Sequence, residues 1–120
     1  MKKKPVLEKH VRSELHDWWN GKDVLLKKEA TRTGFGAGML HEGNRKELIA
    51  VTADLAGSTG LGPFKETYPE KLLDIGVAEQ SLAGISAGLA TEGYTVAMTS
   101  FAAFNPGRNW DFLRTQIAMN

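Results

Sequence analysis

One carboxylate stands by itself in a stretch that otherwise reads as buried. Leu72 to Ile75 looks like the end of a short apolar strand, Gly76 permits a sharp turn, and the residues from Ala78 onward carry a helical repeat. Between Asp74 and Glu92 the single ionisable side chain is Glu79. Leu82, Ile85 and Leu89 recur at helical spacing and predict an apolar face, while Ala83, Gly84, Ala87 and Gly88 keep another face small enough for a neighbouring backbone to approach. Glu79 is thereby placed near a helix N-terminus and at the carboxyl end of a strand, where open α/β sheets collect their ligands. A first-turn glutamate often does no more than complement the helix dipole. A carboxylate with no charged companion nearby in sequence equally fits a functional group held in an apolar site. The residues alone leave both readings open.

Two further strands flank this element in sequence. Leu48-Ile49-Ala50-Val51-Thr52-Ala53 is a continuous apolar run, the pattern of a buried parallel strand, with Asp54 at its carboxyl end. Leu55 to Pro63, with Gly57, Ser58, Thr59, Gly60 and Gly62, reads as a flexible loop where a ligand loop belongs, and Phe64 to Lys71 as a surface turn or short helix. Tyr94 to Met98 is rich in β-formers and ends at Thr99 to Phe104, where Phe101 and Phe104 share a face if that segment is helical. Pro106 suits an early helical position, and Asn109 to Ala118 predicts a helix with Trp110, Leu113 and Ile117 on one side. Strand and helix in strict alternation imply a parallel α/β sheet with right-handed crossovers, three layers deep, its strand ends gathering Asp54, Glu79 and Phe104 on one edge.

Upstream, Leu7, Val11, Leu15 and Trp18 describe one helical face that Asn20-Gly21 ends, so residues 1–28 are expected to form a helical arm and residues 29–120 the domain proper. Glu29 to His41 predicts a helix weakened by Gly34, Gly36 and Gly38. These glycines lack the G-x-G-x-x-G spacing and no strand precedes them, so they are read as close helix packing rather than a phosphate loop.

Composition removes several alternatives. A net charge of +1 with 24% charged residues gives no case for nucleic acid or an anionic membrane. The absence of cysteine removes disulfides, zinc–thiolate sites and thiol nucleophiles, and His10, His16 and His41 have no metal-site spacing. No long apolar segment follows the basic start Met1-Lys2-Lys3-Lys4, so neither a secretion signal nor a membrane anchor is expected, and the cytoplasm is the default location.

The segment Asp74-Ile75-Gly76-Val77-Ala78-Glu79-Gln80 resembles the catalytic glutamate motif of the transketolase family. The resemblance extends back through Val51-Thr52-Ala53-Asp54-Leu55 and Tyr68-Pro69-Glu70-Lys71, and forward through Thr99-Ser100-Phe101-Ala102-Ala103-Phe104, covering roughly Ala30 to Met119. It is similar to the front of the pyrimidine-binding domain, of the kind found in the C-terminal subunit of split transketolases, and incomplete. The resemblance implies thiamine diphosphate as cofactor, Glu79 as the acid/base partner of its aminopyrimidine N1′, Phe104 as the ring stacked on that pyrimidine and Phe101 as a supporting wall. It also implies Asp54 at the cofactor and subunit interface, with Ser58 and Thr59 as weaker candidates. The family's diphosphate- and magnesium-binding motif and its C-terminal domain have no counterpart here. The chain is therefore expected to be either one piece of a split transketolase, whose partner subunits supply both, or a truncated fragment, with Mg2+ held mainly by the partner domain and this chain inactive alone. The implied reaction is transfer of a two-carbon ketol unit between sugar phosphates. A deoxyxylulose-phosphate synthase and the β-subunits of ketoacid dehydrogenases share the domain, and a non-catalytic module docking on a diphosphate-binding partner is the competing class.

Overall fold

The structure, a computed structural model, describes residues 29–119, so the expected arm over residues 1–28 lies outside the described residues. The centre of the fold is β1 (Leu48–Thr52), which pairs in parallel with β2 (Leu72–Asp74) on one side and β3 (Thr95–Thr99) on the other. Side chains alternate across a strand, and β1 uses both faces. Leu48 and Ala50 enter one core cluster with Met39, Ala56, Leu61 and Phe64. Val51 and Ala53 enter a second with Leu82, walled by Ile49, Val96 and Met98. A strand buried on both faces has to be apolar throughout, which is why its sequence shows no polar alternation.

Each cluster belongs to one helical layer. On the first face lie α1 (Thr31–Glu42) and α2 (Gly62–Thr67); on the second lies α3 (Glu79–Thr91). The order β2-β1-β3 explains the sides. The chain passes from β1 to its neighbour β2 through α2, then returns over β1 to β3 through α3, and right-handed crossovers in opposite directions put the two helices on opposite faces. The expected three-layer parallel α/β architecture is thus the one observed.

Several local expectations change. The segment after β1 is less a free loop than a core wall, because Leu61 and Phe64 are fully buried, with the Phe64 ring 5.5 Å from that of Tyr68 and tilted by 46° to it. The buried stripe of α3 is Glu79, Leu82, Ala83, Ser86 and Ala87, whereas Ile85 is 37% exposed. Leu82 and Leu89 of the apolar repeat pack on the sheet-side cluster together with the small residues Ala83 and Ala87, and Ile85 alone of the repeat turns outward. After β3 the chain runs through consecutive turns that include Pro106, α4 spans only Trp110–Phe112, and Leu113–Ala118 is wound as a π-helix. Trp110 (69% exposed) and Ile117 (45%) are therefore not core residues.

Of the three glycines in α1, Gly36 is the one required for packing. A β-carbon there would collide with the backbone oxygen of Gly60, which itself holds φ +86° and would collide with the carbonyl of Arg32. Helix α1 thus rests directly on the loop before α2, backbone against backbone. Its carboxyl end is held by Lys71, whose ammonium donates to the carbonyls of Gly43 (2.6 Å) and Arg45 (2.7 Å), a cation where the helix dipole favours one.

These contacts separate two glycines of one helix. Gly36→Ala is expected to destabilise the chain, because backbone rather than a movable side chain blocks the new methyl. Gly38→Ala, with nothing among the described residues within 4 Å, should stabilise by roughly 0.5–1 kcal/mol through helix propensity. Phe64→Ala should cost about 3–5 kcal/mol as a cavity at a fully buried site. Urea unfolding of the three variants checks all three signs.

Candidate functional site

The carboxyl ends of the strands carry the residues singled out from the sequence. Asp54 follows β1 at φ 59°, a left-handed conformation that aspartate tolerates better than most side chains. Its backbone N–H donates to the Asp74 carboxylate at 2.9 Å, and the same oxygen accepts from Gly76 N–H at 3.1 Å. Asp74 therefore ties the turn after β1 to the turn after β2. The side chain of Asp54 itself is on an exposed residue.

Glu79 is the first residue of α3 and only 4% exposed. The N-cap residue Ala78 offers no side-chain cap, so the helix dipole meets the carboxylate of Glu79 in the first turn. Its charged companion comes from far along the chain: Arg108 Nη1 lies 3.4 Å from Glu79 Oε2. The same guanidinium covers the ring of Phe104, 4.8 Å from its centroid. Phe104 in turn lies 6.2 Å from Phe101, the two rings tilted by 35°.

Two asparagines hold this loop in place. Asn109, fully buried, donates through Nδ2 to the backbone oxygen of Glu79 at 2.9 Å and to Asn105 Oδ1 at 3.2 Å. Asn105 donates to the carbonyl of Met98 near the end of β3, at 3.4 Å. The loop is thus pinned to β3 at one point and to the first residue of α3 at another, and Phe104 and Arg108 are carried between the pins. Side-chain amides bonding to backbone are how irregular segments gain fixed shape without a ladder.

Two clefts flank the cluster. The smaller, about 230 Å³, contains Glu79 and Arg108 with Val77, Ala78, Gln80 and Ser81. The larger, about 560 Å³, lies between the loops that follow β1 and β3 and is walled by Arg32, Phe35, Ser58, Thr59, Ser100 and Phe101. The strands β1 and β3 are adjacent, and their following segments turn to opposite faces of the sheet, the topological switch point at which α/β sheets bind ligands. Arg32 has no carboxylate partner among the described residues, so this cleft pairs a cation with several hydroxyls and an aromatic wall. Such a lining suits a phosphorylated polyol.

The expected residues are thus partly united. Glu79 and Phe104 are joined through Arg108, Phe101 lines the larger cleft beside Phe104, and Ser58 and Thr59 line that cleft. Asp54 is joined to Asp74 instead, and no hydrogen bond, ion pair or ring contact among the described residues links it to Glu79 or to either phenylalanine. Sequence reasoning left Arg108 without a role and missed Arg32, Asn105 and Asn109. The one legible signal was the pair of asparagines four apart around Pro106-Gly107-Arg108. Among the described residues no group of three or more His, Asp or Glu side chains is placed to hold a metal ion. No described helix is long and apolar enough to cross a membrane.

Comparison with known proteins places this geometry. Residues 27–120 match the family described as transketolase, pyrimidine binding domain. A Methanocaldococcus jannaschii protein named as a transketolase C-terminal section is 41% identical over 88 residues, 72% of this chain and 28% of its own length. The 1-deoxy-D-xylulose-5-phosphate synthase 2 of Kitasatospora griseola is 42% identical over 87 residues, 72% of this chain and 14% of that enzyme. A solved structure described as a split gene transketolase, inactive β4 tetramer, superposes with a TM-score of 0.66 at 34% identity, covering 75% of this chain and 30% of that one. The chain therefore spans under a third of the length of these relatives. With its parallel sheet, its switch-point clefts and a match over residues 27–120, it belongs to the transketolase family, as a pyrimidine-binding domain.

Proposed function

We propose that the chain supplies the aminopyrimidine half of a thiamine diphosphate site in a transketolase-type enzyme that moves a two-carbon ketol unit between sugar phosphates. The observation that carries this reading is the buried Glu79 carboxylate at the N-terminus of α3, joined through one guanidinium to the face of Phe104. An aminopyrimidine is a flat ring whose N1′ presents an N–H at its edge when it holds the shared proton. It needs an aromatic face and a carboxylate beside it, and a flat group with N–H donors, the Arg108 side chain, already rests on that pair. The residues therefore fit the cofactor.

Glu79 is the group that holds and exchanges a proton with the pyrimidine N1′, in a site from which its burial excludes water. Phe104 orients the ring, and Phe101 walls the passage to the larger cleft. Bound thiamine diphosphate supplies the carbon–carbon chemistry that no side chain can perform. In the larger cleft, Arg32 with Ser58 and Thr59 binds the phosphate of the sugar. Asp54, beside Asp74 at the exposed sheet end, serves the subunit interface next to the cofactor. The diphosphate and Mg2+ fall to a separate diphosphate-binding subunit, and a further subunit carries the C-terminal domain; the assembly is cytoplasmic and this chain alone is inactive. The similarity to deoxyxylulose-phosphate synthases supports a second reading, in which the same site serves that enzyme class. Binding of the cofactor without turnover of ketose phosphates would favour it.

Calorimetry with thiamine diphosphate and Mg2+ should detect binding by the chain together with its co-purified partner subunits and none by the chain alone. Binding should be lost in Phe104→Ala. Absence of binding in both preparations, from folded protein, would overturn the proposal in favour of a non-catalytic docking module. In the assembled enzyme Glu79→Gln should abolish turnover with assembly intact by size-exclusion chromatography. Arg32→Ala should raise the KM for a phosphorylated ketose by about 10-fold or more while leaving that for the unphosphorylated sugar unchanged, as expected for loss of a charge-assisted phosphate contact.

A further inference from the structure

Arg108 sits where the assigned ligand would go. Its guanidinium is planar, bears N–H donors, lies over the Phe104 ring 4.8 Å from its centroid and approaches Glu79 Oε2 to 3.4 Å. An aminopyrimidine carries a nitrogen–carbon–nitrogen unit of the same outline and would need the same two contacts. Both cannot hold the carboxylate and cover the same ring face. We propose that Arg108 is a placeholder, occupying the pyrimidine seat of Glu79 and Phe104 in the cofactor-free chain and swinging out when the cofactor ring arrives; this rests on the proposed cofactor site.

Three features make the exchange mechanically simple. The Arg108 side chain is 55% exposed, whereas Glu79 is 4% exposed, so the arginine can leave into solvent and the carboxylate cannot. The neighbouring Asn109 is fully buried and bonded to the Glu79 carbonyl at 2.9 Å, so the backbone that carries Arg108 stays in place as the side chain moves. A buried carboxylate without a counter-charge is costly, and the guanidinium supplies that charge while no ligand does. The arrangement gives the buried Glu79 carboxyl a partner in the cofactor-free chain, and it makes the arginine a competitor of the cofactor. A competitor lowers apparent affinity by the fraction of time it holds the site.

The decisive experiment compares the calorimetric Kd of thiamine diphosphate with Mg2+ for wild type, Arg108→Ala and Arg108→Lys, each assembled with the partner subunits. Removal of the competitor should tighten binding about 3- to 10-fold in Arg108→Ala, an exposed cation–π and ion-pair contact being of that size. Lysine keeps the charge but not the flat stack, and should fall between. The gap between wild type and Arg108→Ala should narrow at high salt, because the displaced contact is partly ionic and half-exposed. Binding by Arg108→Ala where wild type shows none would also support the placeholder. Wild-type binding with an equal or weaker Kd in Arg108→Ala would overturn it and leave the cofactor site standing. Binding by none of the three would overturn both.

Discussion

Everything in this domain depends on β1 being apolar on both faces and paired on both edges. Ala50 and Val51, adjacent residues pointing in opposite directions, are both fully buried, so the strand is covered only when both helical layers are present. Parallel neighbours cannot be joined by tight turns, and each crossover must carry a helix over the sheet. The side taken by each helix follows from the direction of travel, outward to β2 and then back across β1 to β3. The reversal places the loops after β1 and β3 on opposite faces, and the space between them is the larger cleft. The functional edge is therefore a consequence of strand order before any side chain is considered.

On that scaffold the site is assembled by polar contacts to backbone. Asp74 accepts from the turns after β1 and β2, and Asn105 and Asn109 bind the loop after β3 to the end of its own strand and to the start of α3. Each bond runs from or to a backbone group, so the turns are fixed to the chain itself rather than to mobile side chains. Phe104 and Arg108 are thereby held near Glu79 although 25 and 29 residues separate them in sequence. The buried carboxylate, the aromatic face and the guanidinium form one contiguous cluster.

The division between the two clefts matters to function. Glu79 lies in the smaller, more polar one, while Phe101, Arg32 and the hydroxyls of Ser58 and Thr59 lie in the larger. The Phe101 and Phe104 rings lie between them. In the proposed function, the cofactor ring on the Glu79 side and a phosphorylated substrate on the Arg32 side meet across those rings. The chain spans under a third of its relatives' length.

The continuous apolar run of β1, the small-residue helix after Gly76 and the lone Glu79 were all legible in the amino-acid sequence, because burial on two faces, close helix packing and an isolated charge each leave a local mark. The alternation of strand and helix was enough to infer a parallel three-layer sheet. Spacing marked Leu82, Ala83 and Ala87 as packing positions of α3 but did not reveal that Ile85 stays 37% exposed while Ser86 is buried, a choice set by how the helix lies against β1. Nor did it reveal that Phe64 belongs to the core, or that turns replace the expected helix around Pro106. The counter-ion of Glu79 was invisible for a related reason. A residue 29 positions away becomes a neighbour only when two asparagines fold its loop back onto the helix, and that contact exists in the tertiary structure alone.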